Sequence, residues 1–454
     1  MFKTVILAAG QGKRMFSDTP KVLHFLAGKS LLQHVADTVA TLTTESPIIV
    51  FGHQGQLVKE TLPNTPATWV EQKEQLGTGH ALLQALPHIP DGQRVLVLYG
   101  DVPLINASTL KNLLNTPENS LGLITANVSQ PAGLGRIVRD AQNKIIDIIE
   151  EKDTTETQRA ISEINSGIYY IPKKFLSNWL PALTNNNSQK EYYLTDIIRL
   201  AVKEHIPIYA VKPSYEEEIL GVNDKIQLAH LERFFQKKLA EKLMQQGTTL
   251  ADPTRIDIRG SLTVGKDIFI DVNVIFEGNV ILGNRCQIGA NSILKNVILG
   301  DDVEIKPHSV IEGAEINQSC VIGPFARIRP GTTLAANVHV GNFAEIKNSF
   351  IGENTKIHHV SYTGDSTLGK KVNIGAGTIV CNYDGVNKYR TTIEDGAFIG
   401  SNSSLVAPVN IGAGAIIGAG SIINRDAPPH QLTLARAQQT TIEGWKRRNK
   451  EGES

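Results

Sequence analysis

Cysteine is scarce in this 454-residue chain: Cys286, Cys320 and Cys381 are far apart and form no CxxC pair. An odd, scattered set excludes a disulfide framework and a cysteine-based zinc site, and it fits a reducing compartment. Net charge is also missing, because 45 Lys and Arg balance 45 Asp and Glu. That balance argues against a broad electrostatic footprint for nucleic acid or an anionic membrane. No apolar run approaches the ~20 residues that a membrane-spanning helix needs. The first ten residues hold one basic residue and too short an apolar stretch for a secretory leader, so the expected address is the cytoplasm. What remains, 41% hydrophobic and 20% charged, suits a folded soluble chain. Its length calls for two or three domains.

The character of the sequence changes near residue 250. Before it, Thr4–Ala9, Pro47–Gly52 and Arg94–Asp101 are short apolar runs rich in β-branched residues or Leu, and they read as buried strands. Ser30–Leu42 and His80–Leu86 between them carry helical spacing. Strands alternating with helices imply βαβ units and a mostly parallel sheet, so 1–222 reads as one α/β domain. Residues 224–246 lack Gly and Pro and place Leu228, Leu231, Phe235, Leu239 and Leu243 at helical steps. With Asn223 or Asp224 as cap and Gly247 beyond the end, 223–247 reads as a connecting helix. Residues 248–436 form the second domain and 437–454 a tail. Its basic residues Lys446, Arg447, Arg448 and Lys450 read as solvated and mobile.

From 264 onward an aliphatic residue recurs every six positions: Val264, Ile270, Phe276, Leu282, Ile288, Leu294. The series restarts at Leu299, Ile316, Ile351, Leu368 and Ile393 and ends at Ile423. A six-residue period fits neither an α-helix nor a lone alternating strand. It fits a solenoid in which each hexad makes one flat face and one turn, with the aliphatic side chains stacked inside. The pattern resembles the hexapeptide-repeat family, and a left-handed parallel β-helix is what that resemblance implies. The period breaks at 382–392, which maps to a loop projecting from the solenoid.

The segment Leu7-Ala8-Ala9-Gly10-Gln11-Gly12-Lys13-Arg14-Met15 follows the first strand and leads to Pro20-Lys21. Gly10 and Gly12 let backbone N–H groups approach an anion, and Arg14 and Lys21 add positive charge, so a phosphate chain is the natural ligand. The third glycine of G-x-G-x-x-G is absent, as is G-x-x-x-x-G-K-[ST]. The whole string is similar to the signature of sugar-nucleotide pyrophosphorylases, with Lys13 where that family usually has Thr. Gln72, Gly77 and Thr78 precede a helix, and Tyr99-Gly100-Asp101 closes a strand, where ligands lie in open α/β sheets. A carboxylate there is a hard oxygen ligand suited to Mg²⁺. The resemblance further implies that Leu7, Ala8, Ala9, Gly10, Lys21, Gln72, Gly77, Thr78, Tyr99, Gly100, Asp101, Gly135, Glu150, Asn165 and Asn223 contact the sugar nucleotide. Asp101 and Asn223 would hold the metal, and Arg14 and Lys21 would stabilise developing charge.

In the solenoid, polar residues interrupt the apolar period between 329 and 383. The order of both halves resembles the family of bifunctional N-acetylglucosamine-1-phosphate uridyltransferase / glucosamine-1-phosphate acetyltransferases, over nearly the whole chain. That resemblance implies His359 as the general base and Glu345 as its orienting partner. It implies Arg329 and Lys347 on the sugar phosphate, and Tyr362, Asn373, Asn382 and Tyr383 on the sugar. Ala376, Ser401, Ala419 and Arg436 would line a groove for acetyl-CoA. The substrates implied are UTP, N-acetylglucosamine 1-phosphate, glucosamine 1-phosphate and acetyl-CoA, in a homotrimer serving peptidoglycan synthesis. Two other readings stand beside this one. The solenoid is only a structural or regulatory support for a pyrophosphorylase, or His308, His339, His358 and His359 supply ligands for zinc. His358, next to the proposed base, reads as a bystander.

Overall fold

The computed structural model describes residues 2–10, 12–52 and 54–447. Gln11 of the glycine segment and Arg448 and Lys450 of the tail lie outside them. The chain divides into two compact units, Met1–Lys238 and Leu239–Ser454.

In the first unit nine strands form one sheet: β1 (Phe2–Ala8), β2 (Ile48–Phe51), β3 (Thr68–Glu71), β4 (Arg94–Tyr99), β5 (Leu121–Asn127), β6 (Arg136–Arg139), β7 (Ile145–Ile149), β8 (Glu163–Pro172) and β9 (Ile208–Val211). The main order is β9-β5-β8-β4-β1-β2-β3, with β6 on β8 and β7 on β6. The inner strands are apolar on both faces because helices cover both faces. Val5, Ile6, Val50 and Val95–Leu98 are fully enclosed. Strands β1 to β4 run parallel, with Val5 beside Ile48 and Val97, and Val50 beside Val70. The expectation of a mostly parallel sheet needs one amendment. β8 runs antiparallel to both β4 and β5. The chain leaves β5, forms the β6–β7 hairpin and comes back along β5 without a crossover helix, and such a return is antiparallel.

The helix Lys225–Gln245 begins as anticipated. The Gln227 N–H donates to Asp224 Oδ1 at 2.8 Å, and the Asn223 N–H donates to Gln227 Oε1 at 2.7 Å. Gly247 beyond its end has φ 96°. Its apolar stripe is shared between two cores. Leu231 packs with Met15, Leu26, Leu31 and Val222 of the first unit. Ala240 and Leu243 belong to the core of the second.

The second unit is one 25-stranded sheet in which every ladder between strands is parallel. Ile270, Ile288, Ile305, Ile322, Val340, Ile357, Ile374, Ile399 and Ile417 pair in succession as one internal column. Every member of the hexad series from Ile270 to Ile423 lies in the core, whereas Val264 at the mouth is only partly covered. One turn of the solenoid takes 18 residues, as between Asn273 and Asn291, or 17, as between Asn279 and Asn296. The shorter turns are the places where the hexad series restarts after five residues. At the insertion the turn lengthens to 25, between Lys370 and Asp395. The described part of the tail, 437–447, is exposed and carries no regular element.

Candidate functional site

Beyond the carboxyl ends of β1, β3 and β4 lies a cavity of ≈ 610 Å³, lined by Leu7–Gly10, Lys13, Lys21, Val22, Gln72, Gln75, Gly77, Thr78, Ala81, Tyr99, Asp101, Glu191 and Asn223. Gly12 turns the loop at φ 62°, and a Cβ there would come within 2.8 Å of Lys21 Cβ. Only glycine lets the loop lie so close to the lysine. Met15 is buried among Leu26, Leu31 and Val222, which anchors the turn Lys13–Met15. Arg14 stands exposed on that turn and does not line the cavity, whereas Lys13 beside it does. Gly100 lies behind the wall, its N–H donating to Leu7 O at 2.9 Å. Glu191 joins from a distant loop and left no motif in the sequence.

Asp101 and Asn223 are brought together by a backbone bond, the Val222 N–H donating to Asp101 O at 2.9 Å. The Lys21 ammonium stands between their side chains, paired with Asp101 Oδ2 and 3.1 Å from Asn223 Oδ1. Two hard oxygens therefore converge on one cation, the donor chemistry that suits Mg²⁺. Among the described residues no group of three or more His, Cys, Asp or Glu is arranged to hold a metal. The zinc reading of the solenoid histidines therefore finds no support.

Gly135, Glu150 and Asn165 gather beside the Tyr99 wall. The Asn165 N–H donates to Gly135 O at 2.9 Å, and the Thr195 hydroxyl donates to Glu150 Oε1 at 3.1 Å. Burial pushes the Glu150 carboxyl above its ordinary range, with Thr195 opposing and the nearby acids Asp196, Asp153 and Glu191 adding to the rise. The Asn165 side chain is largely committed locally. Its Nδ2 donates to Tyr169 Oη at 2.9 Å and its Oδ1 accepts from the Gly167 N–H at 3.1 Å.

On the solenoid, His359 is exposed on the flank. Its Nδ1 lies 2.7 Å from Asn342 Oδ1. An amide oxygen can only accept, so in the neutral ring the proton sits on Nδ1 and Nε2 carries the lone pair. Glu345, anticipated as the orienting partner, pairs instead with Arg329 at 2.8 Å and lies in register with Tyr362, whereas Asn342 is in register with His359. Burial first, then the neighbouring His359, His339 and Lys356, lower the pKa of His358.

The four residues anticipated for the cofactor follow His359 down the same flank. The Gly377 N–H reaches His359 O, the Asn402 N–H donates to Ala376 O at 2.7 Å, and the Gly420 N–H donates to Ser401 O at 2.8 Å. Arg436 Nη1 closes the column on Ala419 O at 2.8 Å. Lys388 of the inserted loop crowds Lys347 and lowers its pKa. Two ammonium groups placed together call for an anion. Asp365, missed in the sequence, is a hub beneath them, accepting from Asn348 and Asn382. Burial raises the Asp365 pKa, but the two amide donors together with Lys347 and Lys388 outweigh it, and the net shift is downward. The Asn382 amino group is thus engaged by Asp365, in a buried position, rather than open to a sugar. Asn373 is half-buried and Tyr383 exposed.

Three family models match: the MobA-like NTP transferase domain at 4–161, the GMPPB C-terminal domain at 258–341, and the bacterial transferase hexapeptide (six repeats) at 390–425. The chain is 53% identical to the bifunctional protein GlmU of Nitrosospira multiformis, over 98% of this chain and 97% of that one. It is 55% identical to that of Legionella pneumophila strain Corby, with the same coverage. The chain belongs to the bifunctional GlmU family. The GlmU of Azoarcus sp. strain BH72 is 52% identical over 98% of this chain and 99% of its own. As a GlmU-family chain it joins a Rossmann-like nucleotidyltransferase unit to a left-handed parallel β-helix of hexapeptide repeats. Among the described residues no helix is long and apolar enough to cross a membrane.

Proposed function

We propose that the chain makes UDP-N-acetylglucosamine in two steps. The β-helix transfers acetyl from acetyl-CoA to the amine of glucosamine 1-phosphate. The nucleotidyltransferase unit then joins the product to UTP and releases pyrophosphate. The observation that carries the reading is the His359 ring, its proton held by Asn342 and its free Nε2 at the head of a column of small residues ending in Arg436.

In the acetyl transfer, His359 Nε2 takes a proton from the attacking amine, the N–C bond forms at the thioester carbonyl, and the C–S bond breaks to free CoA. Arg329, Lys347 and Lys388 hold the sugar phosphate, and Tyr362, Asn373 and the Tyr383 loop hold the sugar. Ala376, Ser401 and Ala419 leave room for CoA, and Arg436 meets its phosphates. In the uridylyl transfer, a phosphate oxygen of N-acetylglucosamine 1-phosphate attacks the α-phosphorus of UTP. Positioning and charge neutralisation do most of the catalysis. The Leu7–Gly10 backbone, Lys13 and Lys21 receive the triphosphate, and Gln72 and Gly77 the base. Glu150, Gly135 and Asn165 form the wall for the sugar. Asp101 and Asn223 would hold Mg²⁺, which when bound would supply positive charge to neutralise the phosphates. We further propose a homotrimer working in the cytoplasm, with 1–222 and 248–436 as the catalytic parts joined by the helix between.

Substitution separates the two activities. Asp101→Ala is expected to abolish uridylyl transfer and spare acetyl transfer. His359→Ala is expected to lower acetyl transfer by about 10²–10⁴-fold and spare uridylyl transfer. If His359→Ala kept acetyl transfer within a few-fold of normal, the general-base assignment would fail. If the intact chain never consumed acetyl-CoA, the solenoid would be a support only.

A further inference from the structure

A site that selects UTP must tell uracil from cytosine. The two bases differ most sharply at ring position 3, where uracil offers an N–H and cytosine a lone pair. A side-chain amide can read that difference only if its orientation is fixed, because its two ends are nearly identical in shape.

Gln72 follows β3, on the opposite side of β1 from Asp101, and the residue is 3% exposed on the cavity wall. Its Nε2 donates to Gly77 O at 3.1 Å and lies 3.0 Å from His80 Nδ1. Gly77 O is a carbonyl and cannot donate, so the amino end of Gln72 must face it. Both Nε2 protons are then spent, provided His80 Nδ1 is the unprotonated ring nitrogen. That tautomer places the ring proton on Nε2, 3.2 Å from the Gln84 side-chain amide. The Gln84 carbonyl accepts it when that amide is set the other way round, which gives up only the long 3.4 Å contact of its amino group with His80 O. The ring packs beside Tyr192, at 6.5 Å between centroids. The Tyr192 backbone brackets the same turn through Leu76 O and the Gly79 N–H, both at 2.8 Å.

We infer that His80 is a positioning residue for nucleobase choice: its Nδ1 lone pair fixes Gln72 with the amino group turned inward and Oε1 left to accept the N3–H of uracil. Cytosine would set its own lone pair against that oxygen. The inference rests on the reading of Gln72 as a contact of the base.

The test measures kcat/KM for UTP and for CTP on the full chain, with acetyl transfer in the same chain as a control. His80→Leu removes the lone pair, and His80→Asn supplies an oxygen near the Nδ1 position. The UTP over CTP ratio is expected to fall about tenfold in His80→Leu and to stay near wild type in His80→Asn, with acetyl transfer unchanged in both. Gln72→Met, similar in length but without the amide, separates the reading of the base from the role of His80. If Gln72→Met leaves the ratio intact, the base does not meet the Gln72 amide and the underlying reading fails. If Gln72→Met collapses the ratio while His80→Leu keeps it, the role of His80 is overturned. If His80→Leu does not fold, His80→Asn still decides, since a lost ratio there overturns the role.

Discussion

At His359 a single amide decides the chemistry. Asn342 Oδ1 at 2.7 Å accepts from Nδ1 of the neutral ring and so leaves Nε2 for the proposed role of base. Asn342→Ala frees the ring to take the other tautomer and other rotamers. It is expected to lower kcat for acetyl transfer roughly tenfold with little change in KM, and Asn342→Asp to restore much of it. Glu345→Gln should instead raise the KM for the sugar phosphate, because Glu345 fixes Arg329. A kinetic comparison of the three variants checks the division of roles. Gly12 is the corresponding residue in the other unit. With φ 62° and Lys21 Cβ 2.8 Å from any added methyl, Gly12→Ala displaces the lysine that sits between Asp101 and Asn223. The expected result is a loss of uridylyl transfer of at least tenfold, measured with acetyl transfer unchanged.

At the scale of elements, the repeat of the solenoid explains what could be read in advance and what could not. Six-residue spacing gave the solenoid, and the restarts after five residues coincide with its 17-residue turns. The run 382–392 marked the inserted loop, whose turn takes 25 residues. The partners Asn342 and Asp365 were missed because hexad reading follows the chain, while contacts run across it, one turn away. Asn342–His359, Asn348–Asp365 and Asp365–Asn382 are each 17 apart, a spacing that was available in the sequence. Glu345 and His359 are out of register, so the expected pairing had no geometric basis. Lys388 lies on an irregular loop with no period to place it. In the sheet, the antiparallel β8 was hidden because its buried run looks like any inner strand. The Arg139–Glu163 pair, at 2.7 Å, ties β6 to β8. The hydrogen bond from Arg139 lowers the Glu163 pKa against its burial, with Thr125 and the nearby charges of Arg139 and Lys212 adding to the fall. A depressed carboxyl adds stability above the ordinary carboxylate range and loses it as pH falls through the folded value. Wild type should therefore lose more stability than Glu163→Gln on acidification, read as the shift in urea midpoint of the first transition. Equal shifts would remove the pair from the account. In the solenoid core, Ile346→Ala should cost about 2–5 kcal/mol, checked by thermal or urea melting, because Ile346 is fully enclosed.

For the whole molecule, the two sites belong to separate compact units, one built on strand ends and one on a solenoid flank. Neither site shares a residue with the other, so each should tolerate loss of its neighbour. The intermediate, N-acetylglucosamine 1-phosphate, is then free to leave one molecule and enter another. The most direct measurement mixes purified Asp101→Ala and His359→Ala proteins with glucosamine 1-phosphate, acetyl-CoA, UTP and Mg²⁺, and follows UDP-N-acetylglucosamine. Each variant alone should make little or none, and the mixture should make it at a rate that rises with both. A mixture that stays as inert as its components, or a single variant that matches wild type, would contradict the account.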